Sequence, residues 1–297
     1  MTTTDPPIAR PSAPFAVSEV LRPTSAADAA QQLRDLGADG ALLAGGTWIM
    51  RGPARRNALA PIYLALDGID ELGGIDAGDE TVSVGAMVTH RELGAFAGAP
   101  ALQGLVEAAA RSAFPAVRSV ATVAGNIAAQ GFAEADLVPA LLAADARVEL
   151  VSPAGATSEG LEEYLRTRGD RPAGELIARV TVPAPVGRRS GFERLTIRGG
   201  GEYAVASVAV SLTLEAGVVT DARVAVGSVE PVARLCPAAA AALVGGPLDA
   251  AAAERAGREA AEECTGRDGL DAPGWYRLTV LPALLRGAVA GLIEEKD

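Results

Sequence analysis

The residues best placed to do chemistry lie in two side-chain-poor stretches separated by roughly eighty positions. The first is Leu42-Leu43-Ala44-Gly45-Gly46-Thr47-Trp48. Its leucines read as the end of a short buried strand, and the glycines and threonine as a tight turn made mostly of backbone. Without a Cβ the chain can take positive φ and bring its N–H groups against an anion, so a phosphate-sized group is the natural occupant. A turn with no ligand would look the same in isolation. The second stretch, Thr122-Val123-Ala124-Gly125-Asn126-Ile127, repeats the small-residue grammar and adds a hydroxyl and an amide.

Other candidates stand near these two. Asp136 precedes the apolar run Leu137 to Ala144; it either caps that helix or accepts from a ligand hydroxyl such as a ribose. His90, the only histidine, follows Thr89, with Glu92 at the matching capping-box position. It reads as a structural first-turn residue, a general base or a point of covalent flavin attachment. Arg51, Arg55 and Arg56 fit a solvated loop, and also a loop reaching a pyrophosphate or a partner subunit.

The elements that must position these residues follow from periodicity. A helix capped by Ser25 and ended by Gly37 delivers the chain to the strand finishing at Leu43. Ile62, Leu64 and Leu66, then Val82, Val84 and Ala86, alternate as strands with one buried face. An Ala-rich helix occupies Leu102 to Ala113. Strands at Val148–Val151 and Leu176–Val182 close the region before the boundary Pro183-Ala184-Pro185. Beyond it come three strands (Phe192 to Ile197, Ala206 to Leu214 and Val218 to Val229), a hairpin turn at Glu215-Ala216-Gly217, and helices near 237–244, 250–263 and 274–292, an α+β unit.

Bulk properties narrow the function. With 49% apolar and 21% charged residues the chain is globular, and with only 4% aromatics its core is built from Ala, Val and Leu. A net charge of -11 repels phosphate backbones and anionic lipid, so neither nucleic acid nor a membrane surface is expected as a partner. Cys236 and Cys264 are too few for a four-thiolate cluster, which places any cluster or metal in another chain. Two spaced thiols without a signal-like N-terminus fit a cytoplasmic protein. The apolar tail from Leu278 to Ile293, interrupted by Pro282 and Arg286, reads as a packed helix.

Six segments in order carry a family resemblance: Ala44-Gly45-Gly46-Thr47, Val84-Gly85-Ala86-Met87-Val88-Thr89-His90, Thr122 to Ile127, Asp136 to Leu141, Gly201-Glu202-Tyr203-Ala204 and Ala222 to Gly227. Over nearly the whole chain, from about Phe15 to Ile293, it resembles the FAD-binding medium subunits of molybdenum hydroxylases, the xanthine dehydrogenase and carbon monoxide dehydrogenase flavoprotein family. The resemblance implies an α+β protein. A flexible tail (1–14) would precede two α/β FAD-binding subdomains (15–62 and 63–186) of the PCMH, vanillyl-alcohol-oxidase-like type. A C-terminal domain (187–297) would follow, with a three-stranded antiparallel sheet and a helical bundle.

It also implies a noncovalent FAD. Leu43, Ala44, Gly45, Gly46, Thr47 and Trp48 match the loop that wraps the pyrophosphate, and Thr122, Ala124, Gly125 and Asn126 the second FAD loop. Asp136 would be the neighbouring carboxylate and Ile177 an apolar contact. Arg194 takes the place of a lysine near the flavin, and Tyr203 that of an aromatic beside the isoalloxazine ring. Ala124 departs from a family glycine, Glu202 from an aspartate, and Trp48 is unusually bulky.

The implied role is electron transfer within a dimer of heterotrimers, alongside a large molybdopterin-binding subunit and a small [2Fe–2S] subunit. The molybdenum cofactor and clusters would sit in those partners, and this chain would contain neither a catalytic residue nor a metal site. A self-contained FAD oxidoreductase using His90 or Tyr203 as base, and a non-catalytic nucleotide sensor, are the competing readings.

Overall fold

A computed structural model describes residues 19–52, 58–198 and 203–294. The expected tail 1–14, Arg55, Arg56 and Glu202 lie outside the described residues.

Three sheets divide the chain. Strand β1 (Glu19–Leu21) is followed by α1 (Ala26–Leu36), whose cap is Ser25; its Oγ accepts from the Asp28 N–H at 3.0 Å. Gly37, at φ +56°, ends the helix and turns the chain into β2 (Gly40–Leu43). With β3 (Ile62–Ala65) these strands form a parallel sheet of order β1-β3-β2. Parallel sheets are covered on both faces. The central strand β3 therefore does not alternate as expected: Tyr63, Leu64 and Ala65 are all buried. It also spans residue 62, so this sheet ends at Ala65.

The second unit runs β4 (Ile75–Ala77), β5 (Thr81–Gly85), α2 (His90–Gly94), α3 (Gln103–Arg111), α4 (Pro115–Arg118), α5 (Val123–Ala128) and α6 (Leu137–Ala143). It continues through β6 (Arg147–Ser152), β7 (Gly155–Gly160), α7 (Leu161–Thr167) and β8 (Leu176–Pro183). Its five strands, ordered β4-β5-β8-β6-β7, are antiparallel throughout. Val82, Val84, Val148, Val180 and Val182 supply the inner face, at most 1% exposed. Edge strand β7 reads Gly-Ala-Thr-Ser-Glu-Gly and has no apolar periodicity that would announce it.

The third unit comprises β9 (Arg188–Leu195), β10 (Ala206–Glu215), β11 (Val218–Gly227), β12 (Arg234–Leu235), α8 (Pro237–Ala241), α9 (Ala250–Glu262), α10 (Gly274–Thr279) and α11 (Leu281–Glu294). Its sheet has four strands, not three, in the order β12-β11-β10-β9. The extra strand is two residues long, pairing Leu235 with Ala225 and Arg234 with Val226, too short for any periodicity to reveal. At the β10–β11 hairpin, Ala216 and Gly217 take φ +50° and +81°, the left-handed pair that matches strand twist. The helix expected over 274–292 is two: α10 ends at Thr279 and Pro282 falls in the first turn of α11, where its missing N–H has no bond to lose. Gly274–Ile293 is apolar and long enough to span a bilayer by composition, yet Leu281, Leu285 and Val289 are buried in the core of the third unit.

One polar device docks the third unit on the second, and another braces the third unit internally. Ser190 on β9 accepts from the Gly104 N–H of α3 at 2.9 Å and donates to the Ala101 carbonyl at 2.8 Å. Arg277 is fully buried. Its guanidinium donates to the carbonyls of Arg267 (2.9 Å), Val205 (2.5 Å) and Ala272 (3.2 Å) and to Asp271 Oδ1 (2.7 Å). One side chain thus ties the loop that precedes α10 to the segment two residues beyond Tyr203. Losing it would orphan several buried carbonyls and Asp271 together. Arg277→Met is expected to lower stability by about 3–5 kcal/mol, measured by urea unfolding followed by circular dichroism.

Candidate functional site

The first glycine turn leaves β2 at Leu43, and the N–H of Met50 closes it on the Gly46 carbonyl at 2.9 Å. Gly46 sits at φ +68°, a conformation that favours glycine. Gly45 is required for a different reason. A Cβ there would lie 1.8 Å from the Val120 carbonyl oxygen, so the two turns touch backbone to backbone. The N–H groups of Gly45, Gly46 and Thr47 find no acceptor among the described residues, and all three residues line a cleft.

The second turn behaves otherwise. Thr122 caps α5, its Oγ1 accepting from the Gly125 N–H at 3.1 Å. The amides of Val123 and Ala124 donate to Val88 and Ala86 (2.9 and 3.1 Å), and that of Asn126 to Thr122 (3.0 Å). These N–H groups are committed to the protein, so this stretch offers side chains and surface rather than the anion-binding backbone its composition suggested. Ala124 lies within α5, in a conformation open to any L residue, so the missing glycine carries no backbone strain.

Asn126 resolves the ambiguity of Asp136. Its Oδ1 accepts from the Leu137 N–H at 3.2 Å and so caps α6, while Asp136 makes no capping bond. The aspartate is buried; Oδ2 stands 3.4 Å from the Arg194 guanidinium, and Oδ1 has no hydrogen-bond partner among the described residues. Burial pushes its pKa from 3.8 up to about 6, against the pull of Arg194 and Arg111 and with the help of Glu134.

A row of mutually touching side chains also lines the cleft. Trp48 stacks on Phe132 (centroids 4.3 Å, interplanar 29°) and donates from Nε1 to the Gln130 carbonyl at 3.1 Å. Phe132 meets the Tyr203 ring edge-on at 5.5 Å, and the Arg51 guanidinium lies 5.0 Å from the Tyr203 centroid. Each of the three units contributes to this row.

The cleft measures about 960 Å³, at the upper end of ligand sites. Twelve of the fourteen residues singled out from the sequence line it: Ala44, Gly45, Gly46, Thr47, Trp48, Thr122, Ala124, Gly125, Asn126, Asp136, Ile177 and Tyr203. Leu43 and Arg194 do not. Leu43 belongs to β2, and Arg194 stands behind Asp136 with its side chain 3% exposed, donating also to the Arg111 carbonyl.

The sequence reading missed Phe132, Ser112, Arg168, Arg171 and Asp271, which also line the cleft. Arg168 donates to the Ile127 carbonyl, and Arg171 is held by Glu175 and Glu159 beneath the Tyr164 ring. They come from loops and helix ends with no periodic signal.

A cleft of this size with amides and a buried carboxylate oxygen that have no partner among the described residues, and with an aromatic row, suits a dinucleotide, which brings a diphosphate, hydroxyl donors and flat rings. The class defined by fold and cleft is thus a dinucleotide-binding protein. Comparison with known proteins makes it specific. Residues 14–185 match the FAD binding domain in molybdopterin dehydrogenase, and residues 192–292 the CO dehydrogenase flavoprotein C-terminal domain. The carbon monoxide dehydrogenase medium chain of Afipia carboxidovorans is 32% identical over 274 residues, covering 90% of this chain and 94% of the relative. Reconstituted CO dehydrogenase from Oligotropha carboxidovorans superposes with a TM-score of 0.84 at 29% identity, covering 92% of this chain and 96% of that one. Quinoline 2-oxidoreductase from Pseudomonas putida 86 does so at 0.83 and 27%, covering 93% and 97%. The chain belongs to the family of FAD-binding medium chains of molybdenum-containing dehydrogenases.

Two outcomes follow from this geometry. Gly45→Ala is expected to push the turns apart, lowering stability by about 1–3 kcal/mol and weakening FAD binding, both readable by thermal shift with and without FAD. Asp136 holds a proton in the folded chain over a range where the unfolded chain has released it. Its stabilising contribution is complete below pH 3.8 and is lost as pH rises through about 6. Urea midpoints of the flavin-free chain should fall across that window through this group, and Asp136→Asn should flatten the fall.

Proposed function

We propose that this chain is the FAD-carrying electron-transfer subunit of a heterotrimeric molybdenum hydroxylase. It accepts electrons from a small [2Fe–2S] subunit, supplied in turn by a large molybdopterin-binding subunit, and passes them to an external acceptor. FAD, when bound, supplies the redox chemistry; the protein supplies position and field. The observation that carries the reading is the meeting of the two glycine turns along one cleft in a chain of this family.

The amides of Gly45, Gly46 and Thr47 would hold the diphosphate. Asp136, backed by Arg194, would accept from a ligand hydroxyl, and Ile177 with Leu176 would pack against a ring. Tyr203, Phe132 and Trp48 would shield the flat part of the cofactor from water. Burial pulls the His90 pKa down to about 4, which keeps its ring neutral and makes it a weak base.

Two cysteines and one histidine in 297 residues leave no thiolate set for a cluster, which favours partners that carry the iron and molybdenum. The relatives' designation as medium chains likewise supports a larger and a smaller companion. We place the assembly in the cytoplasm as a dimer of heterotrimers.

Purification tests the proposal. The chain should be yellow and release about one unmodified FAD on denaturation, and the co-purified assembly should contain molybdenum and iron. A colourless chain indifferent to added FAD, or an assembly without these metals, would overturn it.

A further inference from the structure

We propose that His90 positions the bound dinucleotide by accepting, at Nε2, a hydrogen bond from one of the ligand's O–H or N–H groups. The inference rests on the FAD reading above. His90 is the first residue of α2, anchored by its own N–H to the Ala121 carbonyl at 2.8 Å. Its side chain lines the cleft although the residue is only 3% exposed.

The neighbouring hydroxyl fixes its tautomer. His90 Nδ1 lies 2.7 Å from Ser112 Oγ, and Ser112 Oγ lies 2.9 Å from the Ala109 carbonyl. A carbonyl only accepts, so the single hydroxyl proton goes to Ala109, and Oγ must take its second bond from Nδ1–H. With the ring proton on Nδ1, Nε2 is left with a lone pair. That nitrogen is buried and makes no hydrogen bond among the described residues. An acceptor left unsatisfied at such a depth is costly unless a ligand meets it.

The wall around it is built under strain. Ala113, a non-glycine residue, sits at φ +42° and lines the cleft beside Ser112. Arg118 holds that conformation, one guanidinium nitrogen donating to the carbonyls of Ser112 (3.0 Å) and Ala113 (2.6 Å). Strained backbone that its surroundings over-determine gathers at ligand sites. The ring is also kept neutral. Burial lowers its pKa most and the nearby Arg118 charge adds to this, while the Thr122 backbone acts in the opposite sense. Nε2 is therefore an acceptor throughout the neutral range.

Because His90 is the chain's only histidine, its ring nitrogens can be read without assignment. In the full chain labelled with ¹⁵N-histidine and stripped of flavin, the ring should carry its proton on Nδ1. Adding FAD should move the Nε2 resonance and leave the protonation pattern intact. His90→Phe, which keeps a ring but removes the acceptor, should weaken FAD binding about tenfold, as loss of one hydrogen bond does. His90→Gln should restore most of it.

A ring protonated on Nε2, an Nε2 signal unmoved at saturating FAD, or wild-type affinity in a folded His90→Phe chain would each overturn the proposal. If His90→Phe does not fold, the wild-type spectra decide. Failure of the wild-type chain to bind FAD at all would instead defeat the FAD reading, and this inference with it.

Discussion

The structure depends on a contact between two pieces of backbone. Gly45 and Val120 approach so closely that a single methyl group between them would lie 1.8 Å from an oxygen. This contact joins the turn that follows the parallel sheet to the segment that enters α5, and so makes two separately formed units share one cleft. Once they meet, the unbonded amides of the first turn and the carboxylate of Asp136 line one cavity. Glycine is needed at position 45 by the neighbouring chain, and at position 46 by the dihedral angle; neither demand comes directly from a ligand.

Electrostatics within the cleft depends on a division of labour among three polar residues. Asn126 caps α6, which releases Asp136 from the task its position at the helix start would otherwise impose. Arg194 backs the aspartate from the third unit without entering the cleft, leaving one carboxylate oxygen for something else. A buried ionised carboxylate with half its hydrogen-bonding capacity unused is unfavourable in the isolated chain.

Much of this was legible in the sequence, and the exceptions have physical causes. The cap at Ser25, the capping box at Thr89 and the alternation through Val82 and Val84 are local signals, and each formed the element it announced. Strand β3 departs from alternation because both faces of its parallel sheet are covered, which a pattern local to the strand does not register. Strands β7 and β12 escaped notice, one polar at a sheet edge and the other two residues long. In the site, glycine-rich composition suggested two anion-binding turns. Among the described residues only the first keeps amides without acceptors, because the second turn's donors are taken by the carbonyls of Val88 and Ala86, far away in sequence. Phe132 and Asp271 have no neighbours in the chain to mark them.

The row formed by Trp48, Phe132, Tyr203 and Arg51 draws one residue or more from each unit, so a molecule bound against it would touch all three. By mass action, a ligand at a hundred times its dissociation constant adds about 2.7 kcal/mol to the folded state. That increment is a sizeable fraction of ordinary domain stability, and it adds to an apolar core that already runs through all three units.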